Sequence, residues 1–451
     1  MLYLATPVLV EQTLNMLVGL VDTGLSGKNL PGDKYMAAIG LMAYVLWLMP
    51  AMFSAVSIGA TAMVSRFVGA GDREAAQRVT NQAFLTGAVF CIAGISLMFL
   101  FGEKFIGMME LKEDAAPLAL RYLMIVVPVM PAMMIQVVGI ACLRGAGDTI
   151  SGFVTMTTVN LVNALTSYAL LTGLGPLPKL GWDGLAIGTA VGYIVGATII
   201  LILLIRGRAG LKLRWKWLRF DRDLMRRLLR VGLPGGADIW SVLFCHLWYV
   251  RIINTLGTVE AAAHGLGVRI ESLAYLPGAA FAVAATTLAG QFLGAQDHRR
   301  AQRSVLLALL VGGGIMTVAA ICFYFRAEQL VWIFLAADKV ETARATVPLM
   351  KIVAFSTPAL AVAMILTGAL RGAGDTRWPL VFTIVGFLGI RIPLAYVLAW
   401  ESVHLPLFDI TVPGFGWGVE GAWWAMVVET VLRATFVATR FFQGGWKRIK
   451  V

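Results

Sequence analysis

Charge is what this sequence has least of. Only 14% of its 451 residues are Asp, Glu, Lys or Arg, and the 25 acidic residues are outnumbered by 37 basic ones. A water-soluble domain carries about a quarter charged residues, so this composition excludes one. Cysteine is scarcer still: Cys91, Cys142, Cys245 and Cys322 stand apart in apolar runs with no C-x-x-C pair, and they read as buried free thiols. The histidines (His246, His264, His298 and His404) show no metal spacing. No nucleophile–base motif such as G-x-S-x-G or H-E-x-x-H occurs, so neither an enzyme nor a cofactor is expected. Filter-like motifs and charge rings are missing, which disfavours a passive channel. No cleavable signal is visible, because the chain opens almost directly in the apolar stretch MLYLATPVLV.

Apolar residues take the place of charge: 59% of the chain is hydrophobic and the mean hydropathy is +0.80. They come in blocks of about 20 or more, long enough to cross the ~30 Å hydrocarbon layer as helices. Twelve spans are expected, near 2–26, 36–65, 79–101, 116–141, 149–174, 183–205, 228–253, 261–291, 301–325, 344–369, 377–400 and 415–441. The connection RGRAGLKLRWKWLRFDRDLMRRLLR between spans six and seven holds ten Arg or Lys against Asp221 and Asp223. Arg66, Arg73, Arg78, Arg144, Arg299, Arg300, Arg303, Arg371, Arg377, Lys447, Arg448 and Lys450 fall on the same side. The opposite loops, GMMELKEDAAP, LAADKVETAR and the stretch with Glu401 and Asp409, are acidic or mixed. The positive-inside rule then places both termini and the central loop in the cytoplasm, with the protein in the plasma (inner) membrane. The net charge of +12 therefore anchors the chain beside lipid head groups and implies no nucleic-acid partner.

The hexapeptide RGAGDT occurs at Arg144–Thr149 and again at Arg371–Thr376, an offset of 227. The same offset sets Pro7 on Pro234, Pro131 on Pro358 and Glu11 on Asp238; with a two-residue gap, FVGAGDREAAQR aligns on FLGAQDHRRAQR, and GWDGLA matches GVEGAW near each end. The halves are duplicates of six spans. The expected organisation is a lobe at 1–205, a cytoplasmic basic linker at 206–227 and a second lobe at 228–451. An even number of spans keeps the halves in one orientation, so the repeat axis should run along the membrane normal. Within RGAGDT, Gly145 and Gly147 are expected to make a tight turn, Asp148 to cap the next helix and Arg144 to meet the head-group layer.

This pattern resembles the MATE (multidrug and toxic compound extrusion) family over essentially the whole chain. The resemblance rests on twelve spans in two repeats, a proline near the start of spans one and seven, FVGAGD and FLGAQD after spans two and eight, and RGAGDT after spans four and ten. It implies a two-lobed secondary transporter. Relatives carry a short cytoplasmic lead before the first span, so an N-terminal stub is expected ahead of Met1. In some members the acid of the second RGAGDT, here Asp375, is implicated in cation coupling.

A carboxylate inside a span is expensive unless paired, protonated or facing water. Asp22, in LVGLVDTGLSG, lies ~30 Å along its helix at 1.5 Å per residue, hence in the outer part of the bundle. Asn163 and Ser167 share a face of span five, one turn apart, and Thr189 on span six reaches similar depth. These four oxygen-bearing groups suit a proton or sodium site. They also match, by motif, the family's first-lobe cation site, although Ser167 stands where many relatives carry Asp or Asn. The repeat partner of Asp22 is Tyr249, and Val242 stands where some members have a span-seven glutamate, so the lobes are chemically unequal. Glu11 and Asp238 are symmetry mates that either meet a cationic substrate or pack beside the proline kink, and with Asp375 they form a second tier of cation or gating candidates. Glu271, Arg391, Glu420, Glu429 and Arg433 are expected to pair within their lobe. Trp47, Met52, Phe53, Trp240, Trp248 and Tyr249 are the candidates for an apolar, aromatic substrate surface, since aromatic faces attract organic cations. The expected function is antiport: H+ or Na+ enters as an amphipathic, cationic small molecule leaves, through a monomer embedded in lipid. The alternative is a flippase for a lipid-linked or amphiphilic precursor.

Overall fold

The computed structural model describes residues 1–30, 33–107, 114–335, 339–405 and 410–449. Glu110, Glu113, Asp338 and Asp409 of the acidic loops lie outside the described residues. Twelve long helices follow one another. In the first half they are α1 (Leu2–Asn29), α2 (Asp33–Ala51 and Ser54–Gly69), α3 (Arg73–Gly107), α4 (Ala116–Val126 and Met130–Gly145), α5 (Ile150–Thr172) and α6 (Trp182–Ile205). In the second half they are α7 (Arg222–Asn254), α8 (Thr258–Gly294), α9 (His298–Phe325), α10 (Val340–Gly372), α11 (Arg377–Ala399) and α12 (Gly418–Gln443). Among the described residues, nine helices are long and apolar enough by themselves to cross a membrane. The other three are α1, α5 and α12. Thr, Asn and Ser interrupt the apolar run of α5, and Glu429 and Arg433 that of α12, so these spans carry the groups that chemistry needs. Many outward side chains are large and apolar, with Phe325 73% and Leu310 72% exposed, a surface suited to lipid.

Prolines break the helices where their missing N–H and ring demand it. Pro50 precedes the interruption of α2 at Met52–Phe53, and Pro128 lies in the 3-10 turn Val127–Val129 of α4. In α11 a π-helical segment, Val385–Arg391, is followed at once by Pro393. The sequence showed no strand, yet β1 (Ser402–Leu405) pairs antiparallel with β2 (Ile410–Pro413), Ser402 opposite Pro413, between α11 and α12.

The chain divides into two compact units: Leu2–Gly236 with Gly294–Gln296, and Ala237–Leu293 with Asp297–Lys450. The first has a core of Met42, Met49, Phe53, Met63, Tyr122 and Met130 among others; the second is built around Tyr249, Ile253, Met350, Phe387 and Trp423. The basic linker is stitched to α3 inside the first unit. Gln77 donates to the Gly210 carbonyl (2.9 Å), and Gln82 donates to the Arg219 carbonyl (2.6 Å) while accepting from the Asp221 N–H (3.2 Å). The first turns of α7 also belong there, because Gly232 lets the helix approach so closely that a Cβ would sit 2.0 Å from the Ala55 carbonyl oxygen of α2.

The duplicated hexapeptide folds identically in both repeats. Gly147 and Gly374 take φ of 92° and 84°, and the Asp148 and Asp375 N–H groups reach back to the Leu143 and Leu370 carbonyls at 2.9 and 2.8 Å. Asp148 caps α5 by accepting from the Ser151 N–H at 3.0 Å, as expected. The first glycine has a different task from the one expected. Gly145 and Gly372 are helical, and a Cβ there would come within 2.9 Å of the Thr61 oxygen and 2.0 Å of the Thr286 oxygen. They let two helices cross in contact.

Candidate functional site

The four oxygen-bearing residues picked from spans one, five and six meet in the first unit. A glycine ladder on α6 makes this possible. Gly184, Gly188, Gly192 and Gly196 recur every four residues; a Cβ at Gly184, Gly188 or Gly196 would collide with α5 or with Gln136 of α4, at 2.8, 2.1 and 2.4 Å, and one at Gly192 would press on α5 at 3.2 Å. Small residues at such spacing let membrane helices pack backbone to backbone. α5 and α6 therefore come close enough for Asn163 to donate to the Thr189 hydroxyl at 3.1 Å and, at the limit, to Ser167 Oγ at 3.5 Å. Thr189 in turn donates to Asp22 Oδ2 at 3.2 Å. All four are buried, Asp22 to 2% exposure.

A fifth member was not foreseen. Tyr122 of α4 has its hydroxyl 3.0 Å from Thr189 Oγ1. A threonine hydroxyl has one proton and two lone pairs, and its proton already goes to Asp22, so Tyr122 and Asn163 are both donors to it. The chain of bonds is aimed at a carboxylate. Two acceptors are left over: Asp22 Oδ1 and Asn163 Oδ1 are buried without a hydrogen-bond partner among the described residues. No arginine or lysine pairs with Asp22 among the described residues. Orphan acceptors in a low-dielectric interior are costly, and a proton on Asp22 or a small cation between the oxygens removes that cost. Asp22, Asn163, Ser167 and Thr189 are hard oxygen ligands of the kind sodium takes. A residue pattern could have shown Tyr122 only by its place on α4; nothing in its sequence neighbourhood marks it.

The sequence signature of the MatE family matches residues 7–169 and 240–397, a large part of both repeats. The chain belongs to the MatE family. Similar proteins include "Probable multidrug resistance protein NorM" of Thermotoga maritima, 28% identical over 99% of this chain and 92% of its own, and "Multidrug resistance protein MdtK" of Pectobacterium atrosepticum, 26% identical over 97% and 93%. A crystal structure of MATE in complex with MaL6 shares the fold with a TM-score of 0.88 at 19% identity, covering 99% of this chain and 96% of that one. A MOP superfamily transporter from Pyrococcus furiosus does so with the same TM-score, identity and coverage. The fold class is thus a nearly all-helical, twelve-span transporter fold divided into two units, and the family is one of transporters, not enzymes.

The second-tier acids of this MatE protein are all engaged by arginine. Arg144 Nη2 reaches Glu11 Oε1 at 2.5 Å, and Arg371 Nη2 reaches Asp238 Oδ2 at 2.6 Å. Donor and acceptor are 133 residues apart in each case, so one ion pair has been duplicated with the repeat. The RGAGDT arginine expected among the head groups is turned inward to hold the acid behind the span-opening proline. Asp375 accepts from Arg440 Nε at 2.9 Å, and burial pushes its carboxyl above the usual range. Each arginine holds one oxygen of its acid, and Glu11 Oε2 and Asp238 Oδ1 are buried with no hydrogen-bond partner among the described residues. Glu429 pairs with Arg391 and with Arg433, the latter at 2.6 Å, which is the pairing within one lobe that the span charges suggested.

The aromatic candidates divide by burial. Trp47 and Trp248 are 59% and 49% exposed, Met52 and Trp240 are half-buried, and Phe53 and Tyr249 are core residues of their own units. Trp240 packs on Phe244 with ring centroids 5.8 Å apart.

Proposed function

We propose that this MatE protein is a cation-coupled antiporter that exports amphipathic organic cations. It sits in the plasma (inner) membrane as a monomer, with both termini and the basic linker cytoplasmic. The coupling ion, H+ or Na+, is taken at Asp22. The observation that carries this reading is the pair of buried, donorless oxygens, Asp22 Oδ1 and Asn163 Oδ1, at the end of a relay from Tyr122 and Asn163 through Thr189. Loading fills them and unloading exposes their desolvation penalty, so occupancy biases the lobe between two arrangements. A bias of only a few kcal/mol is needed to move a two-state equilibrium decisively. The multidrug-resistance names of the relatives support an amphipathic substrate, and Trp47, Trp240, Phe244 and Trp248 offer aromatic faces to it. The flippase alternative gains nothing from the relatives.

The test is efflux of a fluorescent organic cation from energised inverted vesicles, wild type against Asp22→Asn, with the pH and sodium gradients collapsed separately. Transport that follows one gradient and is lost in Asp22→Asn names the ion and supports the reading. Transport indifferent to both gradients and to Asp22 sinks it.

A further inference from the structure

In the second unit, the place that duplicates the cation site carries the opposite chemistry. Tyr249 is the repeat partner of Asp22, on α7. Arg391 of α11 follows Ile390, the partner of Asn163, and the π-helical segment Val385–Arg391 ends on it. Single π-turns of this kind concentrate at functional sites. The Arg391 guanidinium lies 4.2 Å from the Phe387 ring centroid and 5.8 Å from that of Tyr249. The Tyr249 ring is 5.7 Å from His264 of α8, and His264 Nδ1 accepts from Trp423 Nε1 of α12 at 3.2 Å. These side chains form one buried cluster.

Its unsatisfied atoms are donors, where those of the Asp22 site are acceptors. Arg391 Nε, Tyr249 OH and His264 Nε2 are buried with no partner among the described residues. Arg391, Tyr249 and His264 are each more than nine-tenths buried. His264 Nδ1 is used as an acceptor, so its ring proton is on Nε2 and points to nothing. The charges are unbalanced in the same sense. Arg391 and Arg433 share the single carboxylate of Glu429, so the three bonded groups sum to one positive charge. Glu271 of α8 feels Arg391 electrostatically but, among the described residues, hydrogen-bonds to neither guanidinium. Two idle donors, Tyr249 OH and His264 Nε2, beside a surplus guanidinium with its own idle Nε, lack a negatively charged acceptor bonded to them.

We infer that the second unit binds a small monovalent anion, held by Arg391, Tyr249 and His264. Its source is either the carboxylate of a transported amphiphile or an inorganic halide. The halide case does not depend on the antiport reading; the carboxylate case rests on it and adds an acidic group to the transported cation.

The full-length protein, purified in detergent at constant ionic strength, tests this by its melting temperature in chloride or benzoate against isethionate. A saturable rise with chloride alone assigns an inorganic ion, and one with benzoate assigns a substrate carboxylate. In Tyr249→Phe, which loses only the hydroxyl, the half-saturating concentration should rise at least about tenfold, the equivalent of about 1.4 kcal/mol. In Arg391→Gln the response should vanish. Asp22→Asn should keep it, which separates this site from the cation site. A wild type with no saturable response to either anion overturns the inference. So does a response unchanged in Tyr249→Phe, which keeps the test decisive should Arg391→Gln fail to fold.

Discussion

Replacing Gly188 by alanine should damage the Asp22 site without removing any of its polar atoms. The added Cβ would lie 2.1 Å from Ser167 Oγ, 2.7 Å from the Ser167 N and 2.9 Å from its Cα. Ordinary contact begins near 3.4 Å, and two of these three atoms are backbone, so α5 and α6 must part by roughly 1 Å. The Asn163–Thr189 and Thr189–Asp22 bonds, 3.1 and 3.2 Å long, would then stretch past hydrogen-bonding reach. Overpacking of this kind costs about 1–3 kcal/mol, and each interhelical bond in a membrane contributes roughly 0.6 and at most about 1.7 kcal/mol. A loss of about 2–5 kcal/mol is expected, seen as a clear drop in thermal midpoint in detergent together with loss of gradient-driven dye efflux. Gly24→Ala is the matched control: it lies two residues from Asp22, and a Cβ there meets nothing within 4 Å. It should be neutral or slightly stabilising, since alanine is the better helix former. If Gly188→Ala melts and transports like wild type, close packing of α5 on α6 is not what assembles the site.

Three further outcomes can be checked. Glu11→Gln removes the carboxylate that Arg144 bonds and should cost about 3–5 kcal/mol in chemical denaturation, with Asp238→Gln at Arg371 costing a similar amount and Glu11→Gln/Arg144→Gln recovering much of the loss. Gln296 holds φ of 59° where the first repeat has Gly71, so Gln296→Gly relieves about 1–2 kcal/mol of left-handed strain against about 0.5–1 kcal/mol of added chain flexibility and should raise stability slightly. The Asp148 carboxyl in the α4–α5 turn is held below the usual carboxylate range: burial raises it, but hydrogen bonds from Ser151 and Arg208 outweigh that. A lowered folded value means stability that is present above the unfolded value of about 4 and lost as pH falls through the folded one. Asp148→Asn should flatten the acid limb of the melting curve below about pH 4, and an unchanged limb would show that Asp148 does not contribute there.

The chain's sequence by itself determined the twelve spans, because hydrocarbon leaves a backbone no partner but itself and apolar length is therefore readable. It determined the duplication, since Pro7 and Pro234 or the two RGAGDT copies need no coordinates to be matched. It also singled out Asp22, Asn163, Ser167 and Thr189, because a polar oxygen in an apolar run is conspicuous and helical rise gives its depth. What depends on which surfaces touch could be decided only by the tertiary structure. Tyr122 joins the site through the packing of α4 on α6. Gly145 serves a helix crossing, though its motif suggests a turn. Arg144 turns inward to Glu11, 133 residues away, when its position suggests the head groups. The donor-rich cluster at Arg391 required a π-helical segment that no periodicity predicts. Linear pattern records which groups are costly to bury; only the packed helices show which partner, if any, relieves each one.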